Sequence, residues 1–381
     1  MEFFSANAKV MNYVGWVGHG NVGDEALYAA IQKILDPYKL IPCGNSLSGV
    51  STPLYSGITL FGGGTLLPRW ASSIMPNRFN YAYGVGVVDP SFYRYQYGAR
   101  AMKTYKFAIE KTRKIGFRLI GVRGERSRRL LHGWGIESKT IGDPCLLLTP
   151  SKSQKKEENL IALNVGSSEC YEPVWGRSED LVKEVTKLCL SLKKDGYLLV
   201  LVPFGDIDMT HIHKISNETG LPIFKKYHNV RLLIDFISSC HLLIGERLHS
   251  TVFSAAAFTP FLSIVYHPKS QEFSESVGFQ KYTLRVDNAT AKNVEATFHD
   301  LMNNWDGMQD ILKEKVETYR KRLASFASRI KMDIESLPNT KWLPPEARKR
   351  AIFKVACTIK LHLPTIFAYL ETISTNNFRN L

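Results

Sequence analysis

Short apolar runs alternate with longer stretches of helical periodicity through most of this 381-residue chain. That alternation is the pattern of α/β domains built on parallel sheets. In the first half it predicts strands at 13–17, 39–42, 57–61, 82–88 and 119–122, and helices at 24–35, 96–114 and 127–134. The polar, charged stretch "SKSQKKEEN" at 151–159 reads as a linker. Beyond it the alternation restarts. "LIALNVG" and "YLLVLVPFG" read as strands around a helix at 179–194, with another helix after Asp206. A helix at 232–239, the strand "HLLIG", a helix of small residues and the strand "PFLSIV" follow. Residues 287–333 read mostly as helix. The expectation is two Rossmann-like domains facing a cleft, at 1–150 and 160–335, with a C-terminal helical tail at 336–381. Ligands in such sheets bind beyond the carboxyl ends of the strands.

Composition narrows the function. The chain is 44% hydrophobic and 22% charged, the balance of a globular protein, and no apolar run reaches the length of a membrane-spanning helix. Its N-terminus lacks a basic, signal-like start, so no leader is expected. Six scattered cysteines without a C-x-x-C pair point to free thiols, no zinc site and a cytoplasmic location. The net charge of +14 suits anionic lipid or anionic small substrates. No nucleic-acid-binding signature accompanies it, so nucleic acid is not an expected partner.

Two glycine-rich stretches stand at predicted strand ends. "VGHGNVGDEAL" at 17–27 matches G-x-G-x-x-G, yet Asp24 and Glu25 occupy the first helical turn, where carboxylates repel a pyrophosphate, and the acidic residue expected after the second strand is missing. A dinucleotide is therefore disfavoured. The loop either makes a tight turn with Asp24 as cap, or lines the cleft, with Asn21 and Asp24 facing a polyhydroxylated ligand and His19 either part of that site or merely exposed. "LFGGGTL" at 60–66 supplies either an anion-binding nest or a bulged strand exit.

Basic residues mark two further strand ends. "IGVRGERSRRLL" at 120–131 points Arg123 into the cleft, leaves Arg126, Arg128 and Arg129 on a solvated helix face, and offers Ser127 as a helix cap. "IGDPCLLL" at 141–148 makes Asp143 either a turn aspartate or a carboxylate that orients a neighbouring arginine. "HLLIGERLHSTVFSAAA" at 241–257 sets Arg247 and His249 between a strand and a closely packing helix. They form either an anion-binding acid/base site at that helix's N-terminus or, less interestingly, a salt bridge from Arg247 to Glu246 or Glu272 beside a core histidine.

Together "GNVGDEAL", "GGGTL", "VRGERS", "GDP" and "ERLHSTVFSAAAFTPFLSI", in this order across residues 15–280, resemble the polysaccharide pyruvyl transferase family. The resemblance implies a fold like that of two-Rossmann (GT-B) glycosyltransferases, with the acceptor on the N-terminal side and the donor on the C-terminal side. It implies phosphoenolpyruvate as donor, a saccharide acceptor, no cofactor and no metal. It places Arg123, Arg247, Leu248 and His249 on the donor, with Arg126 as the alternative to Arg123 because Gly124 stands where members often carry an acidic residue. His19, Asn21, Asp24, Gly63, Gly64 and Asp143 are then left for the acceptor side of the cleft. On this reading His249 is the general acid, Arg247 neutralises the leaving phosphate, and Asp24 or Asp143 is the base.

The tail "PPEARKRAIFKVACTIKLHLPTIFAYLE" is basic and amphipathic. It either lies on anionic lipid, which suits an acceptor carried on a polyprenyl diphosphate at the inner face of the cytoplasmic membrane, or packs back on the domains. The rival functions are a sugar-nucleotide-dependent glycosyltransferase and a non-catalytic sugar- or anion-binding protein.

Overall fold

The computed structural model describes residues 9–43, 56–68, 79–151, 155–166 and 175–337. The expected tail from 338 onward and the middle of the expected linker lie outside them.

The first sheet has six parallel strands in the order β2-β1-β3-β4-β5-β6. They are β1 Val10–Val14, β2 Lys39–Pro42, β3 Ile58–Gly62, β4 Phe79–Val85, β5 Phe117–Val122 and β6 Lys139–Thr140. Helices α1 Val22–Ile34, α2 Pro90–Ile115 and α3 Glu125–Gly133 complete this half. The second sheet has five parallel strands in the order β11-β10-β9-β7-β8. They are β7 Glu157–Asn164, β8 Leu198–Leu201, β9 Cys240–Gly245, β10 Phe261–Val265 and β11 Thr283–Arg285. Around them pack α4 Ser178–Lys194, α5 Met209–Thr219, α6 Val230–Ser239, α7 Leu248–Ala256 and α8 Pro268–Ser276, followed by α9 Ala291–Asn303 and α10 Trp305–Glu335. In each sheet the first strand is flanked by the second and third, the doubly wound order whose switch point collects ligands at the strands' carboxyl ends.

Among the strands that start earlier than their apolar runs predict, β1 and β4 share one reason. Buried asparagines disguise them: Asn12 Nδ2 in β1 donates to the Ser56 and Ile58 carbonyls at 2.8 Å each, and Asn80 Nδ2 in β4 donates to the Ile115 carbonyl at 3.0 Å. A polar residue breaks the hydrophobic pattern although its hydrogen bonds make it a good interior residue. The two-residue β6 and three-residue β11, both at sheet edges, are too short to register in a periodicity.

Helix α10, expected to close the second half, lies across both. Its Asp333 accepts from Tyr81 Oη at 2.6 Å and from Arg118 Nη2 at 2.8 Å, both on the first sheet. Arg320 of α10 donates to the carbonyls of Leu146, Leu148 and Ala256. The halves also meet along α3 and α8. Ser127 was expected to cap α3, but Gly124 is the cap residue and forms no side-chain cap bond. Ser127 sits in the first turn, where its N–H and Oγ both donate to the Glu272 carboxylate of α8, at 2.7 and 3.0 Å. A carboxylate from the other half thus does the capping, and it suits the positive end of the helix.

Among the described residues, no helix is long and apolar enough to cross a membrane, and Cys43, Cys145, Cys189 and Cys240 are free and buried.

Candidate active site

The strand ends of the two sheets converge on one cavity of about 240 Å³. The loop after β1 contributes Trp16, His19, Asn21 and, on α1, Asp24; the loop after β3 contributes Gly64, Thr65 and Leu66; the turn after β5 contributes Arg123. From the other side come Phe204 to Ile207 after β8, Arg247, Leu248 and His249 after β9, and Tyr266 and Lys269 after β10. At its edge the loops touch directly: Val22 N–H donates to the Phe204 carbonyl at 3.0 Å, and Asn21 bridges to Gly205.

Each principal side chain owes its space to a glycine. A Cβ on Gly86 would lie 2.6 Å from Arg123 Nη2, one on Gly166 2.6 Å from Arg247 Nε, and one on Gly23 1.9 Å from His249 Nδ1. Gly23 of α1 therefore lets the two halves close around the imidazole. Gly23→Ala is expected to displace His249, cost on the order of 1–3 kcal/mol of stability and lower activity more than tenfold. Thermal melts and turnover of the variant would check both.

Arg123 is 2% exposed, yet its charge is poorly matched. Nη2 reaches Thr65 Oγ1 at only 3.5 Å and Nη1 stands 3.7 Å from Asp143 Oδ2, while Nε and Nη1 have no hydrogen-bond acceptor among the described residues. A buried guanidinium rarely leaves donors unused, because each orphaned donor costs stability. Arg247, by contrast, has a buried carboxylate partner on one edge of its guanidinium. It pairs through Nε and Nη2 with Asp208, a carboxylate with no exposed surface, and neither Glu246 nor Glu272 is its partner. Glu246 accepts from Gly166 N–H at 2.6 Å instead. Asn164 Oδ1 holds the Arg247 N–H at 2.9 Å, and the first turn of α7 has no side-chain cap.

These cations set the titration of their neighbours. Burial first, then Arg123, Lys269 and Arg247, push His249 down to about 3, so the imidazole is neutral, and its Nε2 has no hydrogen-bond partner among the described residues. Burial raises Asp24 to about 7, with Glu25 and Asp143 adding to the rise while Lys269 and Arg247 oppose it. Asp24 is therefore poised to exchange protons near neutrality.

The other expected residues divide. Asn21, not Asp24, caps α1, accepting from Gly23 N–H at 3.1 Å, and it also lines the cleft. Glu25 folds back on the loop, accepting from Gly18 N–H at 2.6 Å and taking an amide that a dinucleotide phosphate would use. His19 lines the cleft, stacked on Trp16 at 3.8 Å between centroids. Gly64 lines it, but Gly63 packs against Leu27 of α1 and does not. Asp143 lies behind the lining, capping the turn at Pro144–Leu147 through Cys145 N–H at 2.9 Å, with its other carboxylate oxygen 3.7 Å from Arg123 Nη1. Arg126 also falls outside the lining: it is carried out on the first turn of α3 and pairs with Asp89 at 3.0 Å.

Asp208 and Lys269 escaped the sequence reading. Both follow strand-like runs, "YLLVLVPFG" and "PFLSIV", so the strand-end rule applied throughout would have found them.

Asp143, Cys145 and His249 offer ligand atoms within 4.8 Å of one another. With the Arg123 guanidinium at 3.7 Å from that carboxylate, the trio reads as a polar network around a fixed cation and is a poor host for a metal ion.

The sequence model of the family described as polysaccharide pyruvyl transferase matches residues 21–268. The amylovoran biosynthesis protein AmsJ of Erwinia amylovora is 24% identical over 128 residues, which is 34% of this chain and 25% of that protein. The match thus spans about a quarter of the relative's length. Among solved structures, a UDP-glucosyltransferase from Polygonum tinctorium aligns with a TM-score of 0.54 at 12% identity, over 85% of this chain and 99% of that one. A UDP-N-acetylglucosamine 2-epimerase from Listeria monocytogenes aligns with a TM-score of 0.53 at 11% identity, over 88% and 100%. At such identities the likeness concerns the fold alone, two Rossmann-like domains in the GT-B arrangement.

Proposed function

The chain belongs to the polysaccharide pyruvyl transferase family, and from that premise we propose that it moves the enolpyruvyl unit of phosphoenolpyruvate onto two hydroxyls of a saccharide carried on a polyprenyl diphosphate, closing a cyclic ketal and releasing phosphate. The observation that carries the donor assignment is Arg123. Among the described residues its buried Nε and Nη1 have no hydrogen-bond acceptor, in a cavity that Arg247 and Lys269 also line. A small ligand with a carboxylate and a phosphate matches three cations and an uncapped helix N-terminus.

In this reading Arg123, Lys269 and Arg247 hold the donor. Burial is the largest cause of the depressed His249 value and the three cations add to it; the donor's negative charge offsets the cations' share, which favours proton uptake by the imidazole as the donor enters. His249 delivers that proton to the methylene carbon, turning C3 into a methyl group and C2 into an oxocarbenium-like electrophile. One sugar hydroxyl adds to C2 as its proton passes to Asp24, whose value near 7 suits a base. The second hydroxyl then displaces phosphate from C2, its proton leaving with the phosphate. The two hydroxyl protons balance the one gained at C3 and the one gained by phosphate. His19 and Asn21 line the part of the cleft left for the sugar.

The test is a thermal-shift comparison of phosphoenolpyruvate with a panel of nucleotide sugars, followed by phosphate release and mass analysis with saccharide diols. The expected result is stabilisation by phosphoenolpyruvate and acceptor-dependent release of phosphate with a pyruvyl ketal on the sugar. Stabilisation by a nucleotide sugar alone would replace this reading with glycosyl transfer.

A further inference from the structure

We propose that the exposed face of α2 docks the protein on an anionic phospholipid surface. Helix α2 holds seven basic residues against one acidic, and so carries six of the chain's fourteen excess positive charges within 26 residues. Among the described residues, only Arg113 of the seven has a carboxylate partner, Glu110 at 2.9 Å. Arg94, Arg100, Lys103, Lys106, Lys111 and Lys114 are exposed and have none.

The arrangement is a surface, beyond a local excess of charge. Steps of three and four residues put Arg100, Lys103, Phe107, Lys111 and Lys114 on one stripe, opposite Tyr105, Ala108, Thr112 and Ile115, which are buried. Phe107, at the middle of the stripe, is 60% exposed, and Tyr95, one turn before the kink at Gly98, is 63% exposed. Lys111 Nζ stands 5.1 Å over the Phe107 ring. Cations alone would suit any polyanion. Exposed aromatic rings among them suit a bilayer boundary, where the rings enter the headgroup region while the ammonium groups stay at the phosphates. The helix also starts beside the cleft. Phe92, in its first turn, packs on His267 at 4.3 Å between centroids, two residues before Lys269. Membrane binding through α2 is independent of the transfer chemistry; its use in presenting a lipid-carried acceptor rests on the reading above.

The experiment is flotation of the full chain with vesicles of phosphatidylcholine, alone and mixed with phosphatidylglycerol. The wild type is expected to float with the anionic vesicles only. Lys103→Gln/Lys106→Gln/Lys111→Gln/Lys114→Gln is expected to weaken partitioning at least about tenfold, and Phe107→Ser several-fold at unchanged charge. Both variants should keep wild-type melting and phosphate release with a soluble saccharide acceptor, which separates this proposal from the transfer reading. Flotation of the quadruple variant equal to wild type would overturn it, as would a wild type that ignores anionic vesicles. Wild-type flotation of Phe107→Ser together with equally tight binding of soluble dextran sulfate would also overturn it, in favour of a soluble polyanion.

Discussion

Arg123→Met is expected to abolish donor binding while leaving the fold intact. The guanidinium is buried, and among the described residues its polar contacts are the Thr65 hydroxyl at 3.5 Å and Asp143 at 3.7 Å, so little native hydrogen bonding is lost with it. A ligand anion, by contrast, gains two charge-assisted hydrogen bonds from Nε and Nη1, each worth about 1.5–3 kcal/mol in a dry cleft. Their loss corresponds to about a 10²–10⁴-fold fall in kcat/KM for phosphoenolpyruvate. The carboxylate left behind is the second consideration. Burial already raises Asp143, so it neutralises more readily once Arg123 is gone, and Arg123→Met/Asp143→Asn serves as the control for folding. Calorimetric titration of both variants and circular dichroism are the measurements. Donor affinity within about threefold of wild type in a folded variant would remove Arg123 from the site.

His249→Gln is expected to lower turnover by about 10²–10⁴ while changing donor affinity less than about tenfold, because glutamine fills the space without carrying a proton to C3. The pH signature is more specific. In the empty cleft His249 is held down to about 3 by burial and three cations. If bound donor raises it, the complex holds more protons than the free protein in the interval between the two values. Donor affinity must then fall as pH rises through that interval and level off above it. Calorimetry at about pH 5–6 in buffers of different ionisation enthalpy should show proton uptake by the wild type and its loss in His249→Gln. Asp24 titrates near 7, so its contribution belongs to a separate, higher interval and Asp24→Asn isolates it. Equal proton uptake by His249→Gln and wild type would assign the proton to another group.

Much of this site was legible because its residues lie where local pattern is strongest. Arg123, Arg247 and His249 each follow an apolar strand directly, and that proximity alone put them at the cleft. Ser127 and Arg126 misled for the opposite reason. Each lies one helical turn further on, where small differences in start position decide what a side chain meets, and Glu272 and Asp89 took them. The partner of Arg247 was illegible. Two nearby glutamates stood ready in the sequence, yet Asp208 won because the turn after β8 brings it, fully buried, against the guanidinium.

Hydrophobic periodicity and glycine punctuation by themselves determined two parallel sheets, their helices and the strand ends that carry chemistry, since these depend on neighbours a few residues apart. Protonation and pairing were decided only by tertiary packing. Of the cations that depress His249, only Arg247 is near it in the chain; Lys269 acts from another strand end of the same half and Arg123 from across the cleft, and the largest cause is burial, to which the close approach of Gly23 to the imidazole contributes. Local structure follows from short-range sterics and hydrogen bonds, whereas the electrostatics of a buried group follow from everything the fold brings within several ångströms of it.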